Sequence, residues 1–162
     1  MKGHSLIQLF VVVSLFIITL VLEIAPWPIS LHNFKPSWLI LVLTYWVLAI
    51  PNRLSIGTGF ILGILWDVTL GSVLGVHALV LSIFTYLIAK NHRILRNMSL
   101  WFQSLLMILF VFMLRFSIFM IDLFLNNAFF EWQIIWGAMI SGLLWPWIFL
   151  LLRKIRRYLN LR

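Results

Sequence analysis

"LIQLFVVVSLFIITLVLEIA", residues 6–25, is a run of twenty residues that follows one early basic residue, Lys2. Such a run reads either as a secretory leader or as a membrane helix, and the choice decides the fold. It exceeds the roughly 7–15 residues of a leader's apolar core, and the "PWP" that follows offers no A-x-A-like cleavage site. It is therefore expected to stay as the first membrane helix.

Crossing about 30 Å of hydrocarbon takes about 20 helical residues, and five more apolar stretches near that length lie downstream. They cover about 36–50, 54–70, 73–89, 100–125 and 133–152, separated by polar or helix-breaking clusters. Pro36 suits the first position of the short second segment, and Asn52 and Arg53 extend it toward the headgroups. The fold class expected is all-α integral membrane: a single transmembrane domain over residues 1–162, built as a bundle of six transmembrane helices with a basic tail at 153–162.

Composition points the same way. Of 162 residues, 64% are apolar and 10% charged, and the mean hydropathy is +1.10. So few charges cannot cover a soluble surface, whereas lipid is satisfied by Leu, Ile, Val and Phe. The net charge of +8 would suggest nucleic acid in a soluble domain, but no nucleic-acid-binding motif accompanies it, and the charge sits in short loops and a tail. The absence of cysteine excludes disulfides, thiolate catalysis and Cys-ligated zinc.

With both termini inside, Lys2, Arg53, Lys90, Arg93, Arg96, Arg153, Lys154, Arg156, Arg157 and Arg162 all face one side, and Lys35 alone faces the other. That asymmetry predicts an N-in, C-in topology with an even number of spans. The acids Glu23, Asp67, Asp122 and Glu131 fall toward the outer ends. Trp27, Trp38, Trp132 and Trp136 mark an outer aromatic belt, and Trp101, Trp145, Trp147 and Tyr158 an inner one. The outer loop "PWPISLHNFKP" should be stiffened by its prolines.

Ionisable groups inside a membrane are functional candidates by default. In "LWDVTLGSVLGVHAL", residues 65–79, Asp67 lies about one helical turn below a tight turn, "GSVLG", and His77 lies level with it on the descending helix. The two are expected to hydrogen-bond, either as a clasp that fixes the hairpin or as a contact used by a partner. Asp67, His77 and Ser72 do not read as a hydrolytic triad, because no nucleophile elbow or Gly-x-Ser-x-Gly motif supports one.

Arg115 is the costliest residue, about 2.5–3.5 kcal/mol if unpaired near the midplane on insertion scales. Asp67 is its expected partner, with Asp122 and Glu23 as the next choices. The pair serves as an internal brace, as a polar patch that a partner helix completes, or as a proton or ion relay. The relay is disfavoured because transporters usually show several such groups and discontinuous helices, and this chain shows few. Gly59 and Gly63 stand in G-x-x-x-G spacing, and Gly137 and Gly142 lie on the sixth segment; small residues let helix backbones approach closely. Gly71 and Gly75 bound the turn. The basic tail, Arg153, Lys154, Arg156 and Arg157, can lie against anionic membrane lipid. Nothing in the sequence calls for a metal or a cofactor.

"LEIAPWP" (22–28), "KPSWLILVLTYWVLAIPNRLSIGTGFILGILWDVTLGSVLGVHAL" (35–79) and "LLWPWIFLLLRKIRR" (143–157) together resemble the rod shape-determining MreD family of Gram-negative bacteria. The resemblance runs colinearly from about residue 22 to 157. Within it, "DVTLGSVLG" matches the family core, with Asp67, Gly71 and Gly75 as the matching positions. It implies a multi-pass protein of the bacterial inner (cytoplasmic) membrane, similar in fold to the substrate-binding component of energy-coupling factor transporters. It further implies a non-catalytic scaffold that binds MreC and works with RodA, the elongation transpeptidase and MreB in peptidoglycan synthesis and cell shape. A small-molecule or lipid-binding transport component is the alternative that the fold analogy raises.

Overall fold

A computed structural model describes residues 2–71, 73–127 and 129–160, and every regular element among them is a helix. Ser72 and Arg162 lie outside the described residues. In chain order the elements are α1 (Lys2–Ile24), a 3₁₀ turn (Ile29–Phe34), α2 (Trp38–Ala49), α3 (Ile56–Leu70), α4 (Val76–Lys90), α5 (His92–Asn97), α6 (Leu100–Asn126) and α7 (Gln133–Tyr158). Three helices are long and apolar enough to cross a membrane: Gly3–Ile24, Leu100–Leu125 and Gln133–Tyr158. α3 and α4 are shorter apolar helices of 15 residues each.

α2 is the centre of the molecule. Its 12 residues span about 18 Å, and every one from Leu39 to Leu48 is buried. A helix that is apolar all round is surrounded either by lipid or by protein, and here the burial shows that it is protein. α1, α4 and α7 sheathe it, which is why so short a segment needs no polar face.

α3 and α4 form a close hairpin. A Cβ at Gly63 would run into the main chain of Ala78, and one at Gly59 would meet Thr85 and stand 3.0 Å from the Leu81 carbonyl oxygen. The bare α-carbons let the two backbones touch. The turn between the helices is made by Gly71 and Gly75, whose φ angles of 66° and 102° are costly for residues with a Cβ. α6 and α7 form the other long pair, with Gly142 facing Ile108 and the Ser104 carbonyl.

The ends of the bundle differ in chemistry. Gln8 Nε2 donates to the Leu159 carbonyl at 2.9 Å, so the start of α1 lies beside the end of α7. At the opposite end, Lys35 Nζ donates to the carbonyls of Glu23 and of Ala25, the latter at 3.1 Å. The first is the basic end of the bundle and the second its acidic end.

Several boundaries differ from the sequence expectation. The fourth segment starts at Val76 rather than 73, because the chain is still turning at Gly75. A short helix, α5, occupies the break before α6 and buries Leu95. α7 continues through Pro146 and past the expected end at 152, so the first part of the tail is helical; Leu152 is buried and Ile155 packs on the core. Trp145 is no belt residue: it is fully buried, and its Nε1 donates to Gln103 Oε1 at 3.2 Å.

Candidate functional site

Asp67 is fully buried at the last turn of α3. Its carboxylate accepts from the backbone N–H of Gly75 at 2.9 Å and of His77 at 3.2 Å, with Ala78 N–H more distant at 3.5 Å. Those residues are the N-cap and first turn of α4, whose free N–H groups carry the positive end of the helix dipole. The carboxylate of one helix therefore caps the next. His77 Nδ1 lies 2.6 Å from Asp67 Oδ1, which requires the proton on Nδ1, and Trp66 packs on the imidazole with ring centroids 4.5 Å apart. Asp67 is 0% exposed, and the groups it meets here belong to its own hairpin.

Arg115 does not pair with Asp67. Its Nε donates to Ser37 Oγ at 2.8 Å, Nη1 to the Gln133 carbonyl at 3.0 Å, and Nη2 to the Lys35 carbonyl at 3.3 Å. One planar fork thus ties α6 to the loop before α2 and to the start of α7. The helical rise locates the α-carbon near mid-depth, but the long side chain reaches up to loop carbonyls at the acidic end. Gly137 makes room for it, since a Cβ there would strike the guanidinium. Ser37 in turn donates its N–H to Ser141 Oγ at 2.9 Å, and Ser141 donates to the Gly137 carbonyl, so the brace is continuous into α7.

Glu23 lines the same cavity as Arg115. It is buried at the end of α1, and its Oε2 accepts from the N–H of Leu39, at 3.4 Å, in the first turn of α2. The acidic end repeats one device: an acid from the preceding helix faces the N-terminus of the next. Burial lowers the Lys35 ammonium below the ordinary lysine range; Glu23 opposes that shift and Arg115 adds to it.

Between these groups lies a cavity of about 340 Å³ open at the acidic end. Glu23, Lys35, His77, Arg115, Asp122 and Glu131 supply its polar lining, and Trp66, Phe119 and Phe129 its aromatic walls. Asp67 is absent from it. Asp122 stands on the cavity wall and forms no ion pair with Arg115. Among the described residues no group of three or more His, Asp or Glu side chains is placed to hold a metal. At the basic end, Arg153 and Arg156 are half-buried while Lys154 and Arg157 are exposed, as a helix turning past the core dictates.

These arrangements define a class: an all-helical membrane protein whose buried ionisable groups lock its own helices together. The family profile described as rod shape-determining protein MreD matches residues 3–155. The chain belongs to that family. It is 60% identical over 161 residues to the rod shape-determining protein MreD of Haemophilus influenzae, covering 99% of each chain. No solved structure matches it.

Proposed function

We propose that this chain is a non-catalytic scaffold of the cell-elongation complex in the bacterial inner membrane, crossing it six times with both termini in the cytoplasm. Membership of a family of shape-determining proteins supports a role in cell shape. The observation that carries the scaffold reading is that Asp67, His77, Arg115, Ser37 and Ser141 bond to one another or to the chain's own backbone. What remains to face outward is apolar helix and short loop. α1 and α3 are neighbours, and Phe10, Ile17, Phe60 and Ile61 are exposed on them. That face suits the single membrane helix of MreC, with RodA, the elongation transpeptidase and MreB joining the same assembly.

Photo-crosslinkers at Phe10, Ile17, Phe60 and Ile61, compared with lipid-facing positions Leu109 and Leu150, test this directly. The expected result is capture of MreC from α1 and α3 and not from α6 or α7. Capture of lipid alone from all six positions would remove the docking face.

The cavity at the acidic end supports a second reading, a small-molecule or lipid-binding transport component, because Arg115 and Asp122 both line it. Mass spectrometry of the gently purified protein checks this. A stoichiometric polar ligand lost in Arg115→Gln and Asp122→Asn variants favours it, and a ligand-free wild type speaks against it.

A further inference from the structure

A second cavity, of about 290 Å³, opens at the basic end between α2, α6 and α7, beneath the junction of α5 and α6. Arg96, Arg153 and Arg156 line it together with Tyr45. The chain has four acidic side chains, Glu23, Asp67, Asp122 and Glu131, and all four belong to the acidic end. Among the described residues the only ion pair is His77 with Asp67, so no carboxylate neutralises these guanidiniums.

A second observation is independent of the charge count. Tyr45 is 2% exposed, and its hydroxyl is buried with no hydrogen-bond partner. A lone buried hydroxyl is costly, and an evolved core normally supplies it with a partner. Gln103, also on the wall, does not fill that role: its amide donates to the carbonyls of Leu95 and Met98 and its oxygen accepts from Trp145. Those bonds fix the α5–α6 junction and so hold Arg96 over the cavity.

We propose that this cavity binds a phosphate group, with Arg96, Arg153 and Arg156 as its cationic walls and the Tyr45 hydroxyl as a neutral donor beneath them. Guanidinium forks match phosphate oxygens in pairs, and basic pockets between membrane helices suit anionic headgroups. The phosphate belongs either to an anionic lipid or to a soluble phosphate, and the chemistry of recognition is the same. The site is distinct from a merely basic surface, because Arg153 and Arg156 turn inward while Lys154 and Arg157, on the same stretch of α7, stay exposed.

The full chain, purified in a phosphatidylcholine-compatible neutral detergent, is titrated with phosphatidylglycerol and separately with inorganic phosphate, and binding is read by native mass spectrometry and by the shift in melting temperature. Saturable binding of either probe is expected, and which of the two binds assigns the source. Arg153→Gln with Arg156→Gln should weaken it about tenfold or more, whereas Lys154→Gln with Arg157→Gln, which removes the same charge, should leave it within about twofold. Tyr45→Phe should weaken binding while leaving the probe-free protein as stable as wild type or more so, which separates loss of the site from loss of the fold. Equal losses in the two charge-matched double variants would reduce the effect to surface attraction and overturn the proposal. So would the absence of saturable binding of both probes in the wild type.

Discussion

Replacing Asp67 by Asn keeps the shape of the side chain and removes its charge, which separates hairpin capping from the pairing with His77. A neutral amide can present one oxygen to the α4 N–H groups but turns a donor toward the others. Asp67→Asn should destabilise the protein by about 1–3 kcal/mol, seen as a lower melting temperature in detergent. His77→Ala should lose less, because the backbone N–H groups of Gly75 and His77 keep their acceptor; an equal loss would make the imidazole the principal partner instead. Arg115→Lys keeps a charge but no planar fork, and an ammonium cannot serve Ser37, Gln133 and Lys35 together. Lys35 supplies a pH signature. Its ammonium titrates below its unfolded value because it is buried, so between the two pKa values the folded chain binds fewer protons than the unfolded one. Stability should therefore rise with pH through the alkaline range relative to Lys35→Met, and a flat difference between the two melting curves would contradict the burial. The meeting of Asp67 and His77 was readable from spacing, since a tight turn puts the two at one level. Arg115's acceptors were not readable, because two are main-chain carbonyls, which carry no sequence mark, and the third, Ser37, lies 78 positions away.

At the scale of the element, the α3–α4 hairpin shows where a glycine matters and where it does not. Gly63→Ala would push a methyl group into the Ala78 backbone, which cannot move aside as a side chain can. It should cost about 1–3 kcal/mol. Gly57, on the same helix, has open space around its α-carbon, so Gly57→Ala should be neutral or slightly stabilising in the same melting experiment. The G-x-x-x-G spacing of Gly59 and Gly63 indicated a close approach, but periodicity alone could not say whether the partner was internal. The shortness of α2 was visible too, while its position was not. A continuous apolar run reads alike whether lipid or protein surrounds it, and only the packing of α1, α4 and α7 distinguishes them. The basic residues after 152 resemble a tail in sequence, but α7 continues because Leu152 and Ile155 maintain an apolar stripe beneath them.

For the whole molecule the separation of charge is the organising fact. The contact between Gln8 and Leu159 brings the two termini to one end, in keeping with an even number of crossings, and three helices have the length for a crossing on their own. Counting α2, α3 and α4 as further crossings requires the bilayer to thin around them or their flanking residues to reach the interface; 15 residues rise only about 22 Å. The proposed topology puts the basic end in the cytoplasm, since Lys and Arg clusters resist translocation. Reporter fusions after Asn33, Arg93 and Phe129 decide the matter: the first and last should report from outside the cytoplasm and the middle one from within. A cytoplasmic signal from Asn33, with Arg93 and Phe129 reporting as expected, would make α2 a segment that enters and leaves on one side and would put the N-terminus outside, against the contact between Gln8 and Leu159. A cytoplasmic signal from both Asn33 and Phe129 would invert the bundle, leaving its guanidiniums against the outer leaflet and the inward leaflet facing acids, the arrangement that membrane insertion most strongly disfavours.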